Sequence, residues 1–200
     1  QQPLDFKGTP YWGEEYMHIQ ELLPVQGIGF FGSDIAVSGD TMVIASLGEV
    51  SIFEWDATEN AWGERQQIYY PGSEDDWFGS SVSIDGGTLV VGAPSANTEL
   101  GGTGKVFIYE RNATPPVRWE EVDVLVDQLP APTENFGKSV ALRGDTLVVG
   151  APTGSAIGSA HVFERSQGTW NSTPITKLQA AVSNSANYAG TVAISGQWIA

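Results

Sequence analysis

Cysteine is absent from the 200 residues of this chain, which excludes disulfides, thiol catalysis and cysteine-ligated zinc. Basic residues are scarce: 9 Lys and Arg stand against 24 Asp and Glu, for a formal net charge of −15. Such a charge disfavours nucleic acid and anionic membrane surfaces as partners. No apolar stretch approaches the roughly 20 residues of a membrane helix. We therefore expect neither nucleic-acid binding nor a membrane segment here.

Glycine and proline, by contrast, are plentiful, with 24 and 11 residues. Glycine recurs at matching positions of one repeated unit, which spans residues 78–94 and again residues 136–152. A degenerate copy begins at Phe31 and a truncated copy at Tyr188. The copies begin about 50 residues apart, which is the size of a four-stranded propeller blade.

Each copy predicts four short antiparallel strands. In the second copy a turn at residues 85–87 precedes a β-branched run, and Pro94 is expected to end the pairing because proline has no N–H to donate. A third strand at 105–109 and a fourth at 119–129 follow. The predicted fold is all-β, a β-propeller of four-stranded antiparallel blades in an incomplete ring. We expect three full blades at about 31–77, 78–135 and 136–187, with partial blades at 1–30 and 188–200.

Two of the copies carry a family resemblance. Phe78-Gly79 with Gly92-Ala93-Pro94, and Phe136-Gly137 with Gly150-Ala151-Pro152, resemble FG-GAP repeats. These are the units of the integrin α-subunit head and of many extracellular bacterial and protist proteins. In the first copy Ala45-Ser46-Leu47 stands where Gly-Ala-Pro belongs. The resemblance implies a seven-bladed ring completed by further blades of a longer chain, and an extracellular or cell-surface location.

Tryptophan follows the same repeat. One residue begins each predicted fourth strand, and because large aromatics dominate burial energetics, we expect this set to pack in the core: Trp12, Trp62, Trp119 and Trp170. Trp77 and Trp198 lie outside that register and are freer to contact a ligand.

Calcium is a cofactor that the resemblance raises, because integrin-type repeats often carry an Asp-x-Asp-x-Asp-Gly loop between the first two strands. Here that place is filled by short turns at residues 38–40, 85–87, 143–145 and 195–197. One carboxylate per turn cannot supply the six to eight oxygens that calcium needs. We expect the non-calcium-binding type of repeat, with no metal or other cofactor.

Two short motifs are expected at the surface: an Arg-Gly-Asp tripeptide and a pair of N-glycosylation sequons. Arg143, Gly144 and Asp145 spell the tripeptide that integrins bind, but the slot is also a generic hairpin turn. Asn112 and Asn171 begin sequons near the junction of third and fourth strands, where a glycan could be tolerated.

Catalysis finds little support in the residues. His18 and His161 fall in different strand types, and neither has a nearby Ser or Asp arranged as a nucleophile motif. We interpret both as structural or surface histidines. Scattered carboxylates could form a glycosidase pair, but no spacing identifies one.

Loops on rigid scaffolds are where binding usually resides. In a four-stranded meander, the first-to-second and third-to-fourth turns lie on one rim, here called the turn rim. The second-to-third loops and the connectors between blades lie on the opposite rim, the connector rim.

The leading hypothesis is a non-enzymatic extracellular recognition or adhesion module; the alternatives are a glycan-binding, lectin-like propeller and a propeller enzyme acting on polysaccharide. The candidate ligand contacts, for a protein or a glycan, are Asp75, Asp76, Trp77, Glu99 and Glu134.

Overall fold

A computed structural model describes residues 20–24, 29–98, 103–128, 135–152, 158–179, 188–196 and 198–199. These residues form antiparallel strands, with no α-helix within the described ranges. The first sheet has the order β1 (Ile35–Ser38), β2 (Thr41–Ser46), β3 (Glu49–Asp56) and β4 (Ala61–Tyr69). The second has the order β5 (Ser81–Asp85), β6 (Thr88–Asn97), β7 (Thr103–Arg111) and β8 (Trp119–Leu125).

The third sheet repeats this order with a divided fourth strand. It contains β9 (Ser139–Arg143), β10 (Thr146–Ala151) and β11 (Ser159–Ser166), and the short strands β12 (Thr169–Trp170) and β13 (Thr176–Gln179) both pair with β11. A two-stranded ribbon follows, made of β14 (Ile194–Ser195) and β15 (Trp198–Ile199). The partial blade predicted at 1–30 falls mostly outside the described residues.

The sheets pack face to face through apolar clusters. Val50, Ile52, Phe78 and Phe107 belong to the cluster between the first two sheets, and an equivalent cluster around Phe136 joins the second to the third. The innermost strands lie beside one another in the order β1, β5, β9 and β14. Four-stranded meanders related in this way are propeller blades. The predicted β-propeller fold is therefore confirmed.

The Phe-Gly and Gly-Ala-Pro segments form the joints of the repeat. The Gly79 N–H donates to the carbonyl of Gly92 at 3.1 Å. A Cβ on Gly92 would lie 2.0 Å from the carbonyl oxygen of Gly137 in the next sheet, so the position admits no side chain. Phe78 and Phe136 are fully buried beside these joints, each contributing about 2–3 kcal/mol of burial free energy.

Most of the described repeat tryptophans lie in the core, as predicted. Trp119 and Trp170 are buried, while Trp62 is half-buried. Trp12 falls outside the described residues, and so does the side chain of Trp198.

Two strand predictions need correction. Pro94 interrupts the pairing of β6 with β7 but does not end it: register is lost after Ala93 and resumes where Asn97 pairs with Thr103. The strand absorbs the missing N–H in an irregularity, as strands do at bulges. The fourth strand of the second sheet ends at Leu125, earlier than predicted.

Candidate functional site

The connector rim has one recurring backbone feature. The residue before each Phe-Gly pair adopts the left-handed conformation: Phe30 has φ 68°, Trp77 has φ 59° and Asn135 has φ 54°. Each of these residues also accepts a hydrogen bond at its carbonyl from the N–H three residues further on, at 2.9–3.1 Å. This conformation is strained for residues other than glycine. The repeat therefore holds the side chain at this position in a set direction.

Trp77 is the most prominent predicted contact residue that the structure describes. It follows a short 3₁₀ helix, Glu74–Asp76, which begins at Ser73, whose hydroxyl accepts from the Asp75 N–H at 3.2 Å. The Trp77 side chain is 46% exposed. The Nζ atom of Lys138 lies 5.3 Å from its ring centroid, within range of a cation–π interaction. A large aromatic ring is thus displayed on a fixed turn.

Asp76 has a structural contact. Its Oδ2 accepts a hydrogen bond from the hydroxyl of Tyr70 at 2.8 Å. Burial and this carboxylate together raise the pKa of Tyr70 to about 12. The Tyr70 ring stacks on Phe78 with centroids 5.1 Å apart. Asp76 therefore anchors the connector to the core, whereas Asp75 is exposed and free of such a tie in the described contacts.

The remaining predicted contacts are only partly accounted for. Glu99 and Glu134 lie outside the described residues. Glu74 lies close to the turn between β2 and β3. A Cβ atom, if Gly48 in that turn carried one, would lie 3.9 Å from the Cγ atom of Glu74. That proximity places the 3₁₀ helix on the connector rim beside the second-to-third turn of the first sheet. Trp77, Asp75 and Glu74 thus share one surface.

Phe30 is a surface aromatic that the sequence analysis missed. Its side chain is 74% exposed, and it occupies the same left-handed position in the first repeat as Trp77 does in the second. The signal was present in the sequence, because Phe30 precedes Phe31-Gly32 as Trp77 precedes Phe78-Gly79. The connector rim therefore presents an exposed aromatic residue in two successive repeats.

On the turn rim, Arg143 ends β9, and Gly144 and Asp145 form the two-residue hairpin turn that leads into β10. The Gly144 N–H donates to Asp85 Oδ2 at 2.7 Å. Asp145 Oδ1 lies 2.8 Å from Arg165 Nε, an ion pair that raises the pKa of the guanidinium. The amide and the carboxylate of the tripeptide thus both have partners within the propeller.

Of the two sequons, the first lies at the turn between a third and a fourth strand, and the second lies within the divided fourth strand of the third sheet. Asn112 is engaged through its side chain, which donates to Glu120 Oε1 at 3.0 Å and accepts from the Arg118 N–H at 2.8 Å. Asn171 is exposed in the interruption between β12 and β13. The Asn112 amide therefore closes its own loop, and a glycan there would displace the bond to Glu120.

A buried polar cluster joins the second and third sheets on the connector rim, and the sequence analysis did not identify it. His161 Nε2 lies 2.9 Å from Ser159 Oγ and 3.5 Å from Asp127 Oδ2, and Lys177 Nζ lies 2.9 Å from the same carboxylate oxygen. His161 and Ser159 are fully buried. Burial lowers the pKa of His161 to about 4; Asp127 acts in the opposite direction and Lys177 in the same direction.

This cluster differs from a nucleophilic triad. In a triad the serine and the carboxylate contact different ring nitrogens of the histidine. Here Ser159 Oγ and Asp127 Oδ2 both approach Nε2. The described contacts therefore place both groups at one ring nitrogen, unlike the two-sided arrangement of a triad. The sequence analysis did not foresee that Asp127 reaches His161 from the preceding connector.

Two further observations concern metals and membranes. Within the described ranges, no three His, Asp or Glu side chains are grouped as a metal site would require. Among the same residues, no helix is long and apolar enough to cross a bilayer.

Comparison with known proteins identifies the repeat. A family model described as FG-GAP repeat matches residues 62–109 and 119–163. Each match runs from a fourth-strand tryptophan to the third strand of the following sheet. A search of curated proteins found no significant match to the chain.

Solved structures with a similar backbone include two proteins. One is Kluyveromyces lactis Hsv2, with 19% identity, a TM-score of 0.45, and coverage of 73% of this chain and 38% of that one. Another is a europium-containing methanol dehydrogenase, with 11% identity, a TM-score of 0.47, and coverage of 75% of this chain and 26% of that one. The chain therefore spans well under half the length of either protein.

Proposed function

Because this chain carries FG-GAP repeats on propeller blades, we propose that it is a non-enzymatic recognition or adhesion module that acts outside the cell or at its surface. The ligand-binding surface is the connector rim. The observation that carries the proposal is the half-exposed ring of Trp77, held in a left-handed turn on rigid sheets. Aromatic residues with few rotatable bonds supply contact area at low entropic cost, and they dominate binding hot spots.

The charge of the chain supports a ligand that is neutral or basic. The net charge is −15, and Glu74 and Asp75 flank Trp77 on the connector rim. An anionic polymer would be repelled by such a surface. A glycan without acidic groups, or a basic protein segment, meets no such barrier.

A glycan ligand is the second candidate, favoured by one specific observation. Phe30 and Trp77 present exposed aromatic side chains at equivalent positions of neighbouring repeats. Rings carried on a rigid scaffold offer apolar faces on which sugar rings can stack. A lectin-like propeller would use them in this way.

The proposal is tested by screening the chain against an array of neutral and acidic oligosaccharides and a panel of basic and acidic extracellular proteins. Saturable binding to a neutral glycan or a basic protein supports recognition, provided that the ligand is recovered unchanged. Release of new reducing ends from a polysaccharide would instead support an enzyme. Saturable binding only to acidic ligands would contradict the charge argument.

A further inference from the structure

A basic side chain of this acidic chain lies on the exposed ring of Trp77. The Nζ atom of Lys138 is 5.3 Å from the ring centroid, within range of a cation–π interaction. Lys138 is exposed, and its ammonium forms no ion pair in the described contacts. Arg111, Arg165 and Lys177, by contrast, each pair with a carboxylate. Although Asp and Glu outnumber Lys and Arg by 24 to 9, the Lys138 cation therefore lies against an aromatic ring.

The cation on the ring distinguishes Trp77 from Phe30, the equivalent residue of the first repeat. Ser80 and Lys138 hold the same place in their repeats, two residues after the phenylalanine of a Phe-Gly pair. The repeat that follows Phe30 supplies Ser80 there, whereas the repeat that follows Trp77 supplies Lys138. The Lys138 backbone is fixed, because its N–H donates to the Asn135 carbonyl at 3.1 Å. A positive charge is thus positioned at one of two otherwise equivalent aromatic residues.

Two carboxylates share the surface of this ring. Glu74 and Asp75 lie in the 3₁₀ helix that ends at Trp77, and both are exposed. Neither forms an ion pair in the described contacts. Asp76 differs, since it accepts a hydrogen bond from the Tyr70 hydroxyl. Exposed carboxylates attract positive charge to their surroundings, and the face of an indole attracts cations through its quadrupole. Both effects favour a positively charged group over a neutral or a negative one.

We propose that Trp77 binds the ammonium or guanidinium group of a basic protein segment on its ring, with Glu74 and Asp75 beside it, and that Lys138 occupies the ring until this group displaces it. The inference rests on the proposed function and narrows its ligand to a protein segment with exposed Lys or Arg. A neutral glycan would stack on the same ring, but it would gain nothing from the two carboxylates. Lys138 lowers the affinity, because the ligand must first replace the contact of Lys138 with the ring.

The experiment uses the whole chain and three probes. These are tetralysine with both ends blocked, the same peptide acetylated at every Nζ, and a neutral glucose hexasaccharide. Binding is followed by NMR at the indole N–H of Trp77, which is assigned from its loss in Trp77→Ala. A second signal is the Cε methylene of Lys138, whose resonance the ring shifts upfield while the ammonium lies over its face. We expect tetralysine to bind saturably at Trp77 and to return the Lys138 resonance toward its unstacked position, and the other two probes to bind far more weakly.

Variants of Lys138 test whether it competes with the ligand. Losing a cation–π contact at an exposed site changes an equilibrium by about two- to fivefold. Lys138→Ser, which copies Ser80 at the equivalent place, should therefore raise the affinity for tetralysine by that factor. Lys138→Arg keeps a cation and should leave the affinity close to that of the unaltered chain. Arg118→Ser is the matched control, because it removes one positive charge from an exposed residue on the turn rim, and it should leave the affinity unchanged.

Four results would overturn the inference. The first is a lack of saturable binding of tetralysine. The second is binding at Trp77 that is equally strong for the acetylated peptide or stronger for the hexasaccharide. The third is an affinity that is unchanged in Lys138→Ser, or that rises equally in Arg118→Ser, so that only net charge acts. The second and third results would leave the connector rim as the binding surface of the proposed function. The fourth, tetralysine binding that persists in folded Trp77→Ala, would contradict that surface as well.

Discussion

The side-chain amide of Gln66 forms a two-point clamp on the backbone of Trp119. Its Nε2 donates to the Trp119 carbonyl at 2.9 Å, and its Oε1 accepts from the Trp119 N–H at 2.8 Å. Gln20 makes the same pair of bonds with Trp62, at 3.0 and 2.7 Å. Gln66 lies in β4 and binds the tryptophan that begins β8. Gln20 lies before β1 and binds the tryptophan of β4. The repeat therefore specifies polar contacts as well as apolar ones between neighbouring blades.

Replacing Gln66 by alanine should destabilise the chain. The change leaves the N–H and the carbonyl of Trp119 without their partner in a partly buried site, so we expect the free energy of unfolding to fall by about 1–3 kcal/mol. Urea denaturation followed by tryptophan fluorescence measures the loss. Gln67→Ala is the matched control, because the Gln67 amide bonds only to the exposed Tyr69 hydroxyl in the described contacts. Equal losses in the two variants would refute the role of the clamp.

Replacing Gly79 by alanine should be far more harmful than replacing Gly86. Gly79 has φ +86°, and a Cβ there would lie 2.2 Å from the carbonyl oxygen of Ser46 in the first sheet. We expect a loss of at least about 3 kcal/mol of unfolding free energy. Gly86 also has a positive φ, of +57°, but a Cβ there meets nothing within 4 Å. Gly86→Ala should lower the free energy of unfolding by only about 1 kcal/mol. Thermal denaturation of both variants measures the two losses. A larger loss for Gly86→Ala than for Gly79→Ala would contradict this account.

Calcium should not stabilise the chain. In two of the turns between first and second strands the carboxylate is already engaged, since Asp85 accepts from the Gly144 N–H and Asp145 pairs with Arg165. Only a ligand that prefers the folded state raises its stability. We expect melting temperatures in millimolar calcium and in a chelator to agree within about 2 °C, with magnesium as the control for ionic strength. A rise of many degrees with calcium alone would reveal a site that this account lacks.

The fold was predictable because the residues that it requires recur at the same positions of each repeat. Residues 78–94 and 136–152 repeat the glycines that close contacts between sheets require, and Gly92 shows why, since no side chain fits there. The course of β6 past Pro94 was not predictable, because it depends on the strand β7 that pairs with it beyond the proline. The local sequence shows that Pro94 has no N–H to donate. It does not show that β6 pairs with β7 again at Asn97.

The candidate site was predictable only in part. Trp77 stood out because it falls outside the tryptophan register, and its exposure in the structure agrees with that reading. Phe30 was overlooked although it holds the same place before Phe-Gly as Trp77, since only the structure shows that the residue at this place is left-handed and exposed. His161 was interpreted from its own strand alone. Its partner Asp127 lies 34 residues earlier in a connector, so only the packing of two sheets brings them together.

The most direct test of the account compares opposite rims of the propeller. For the glycan or protein that binds most tightly in the screen, affinity is measured by calorimetry for the unaltered chain, for Trp77→Ala on the connector rim and for Arg143→Ala on the turn rim. Loss of an aromatic hot spot weakens binding by at least about tenfold, so we predict this for Trp77→Ala, and an unchanged affinity for Arg143→Ala, with both variants folded. If Trp77→Ala binds normally and Arg143→Ala does not, the ligand sits on the turn rim at the Arg143-Gly144-Asp145 tripeptide, and the assignment of the binding surface is wrong.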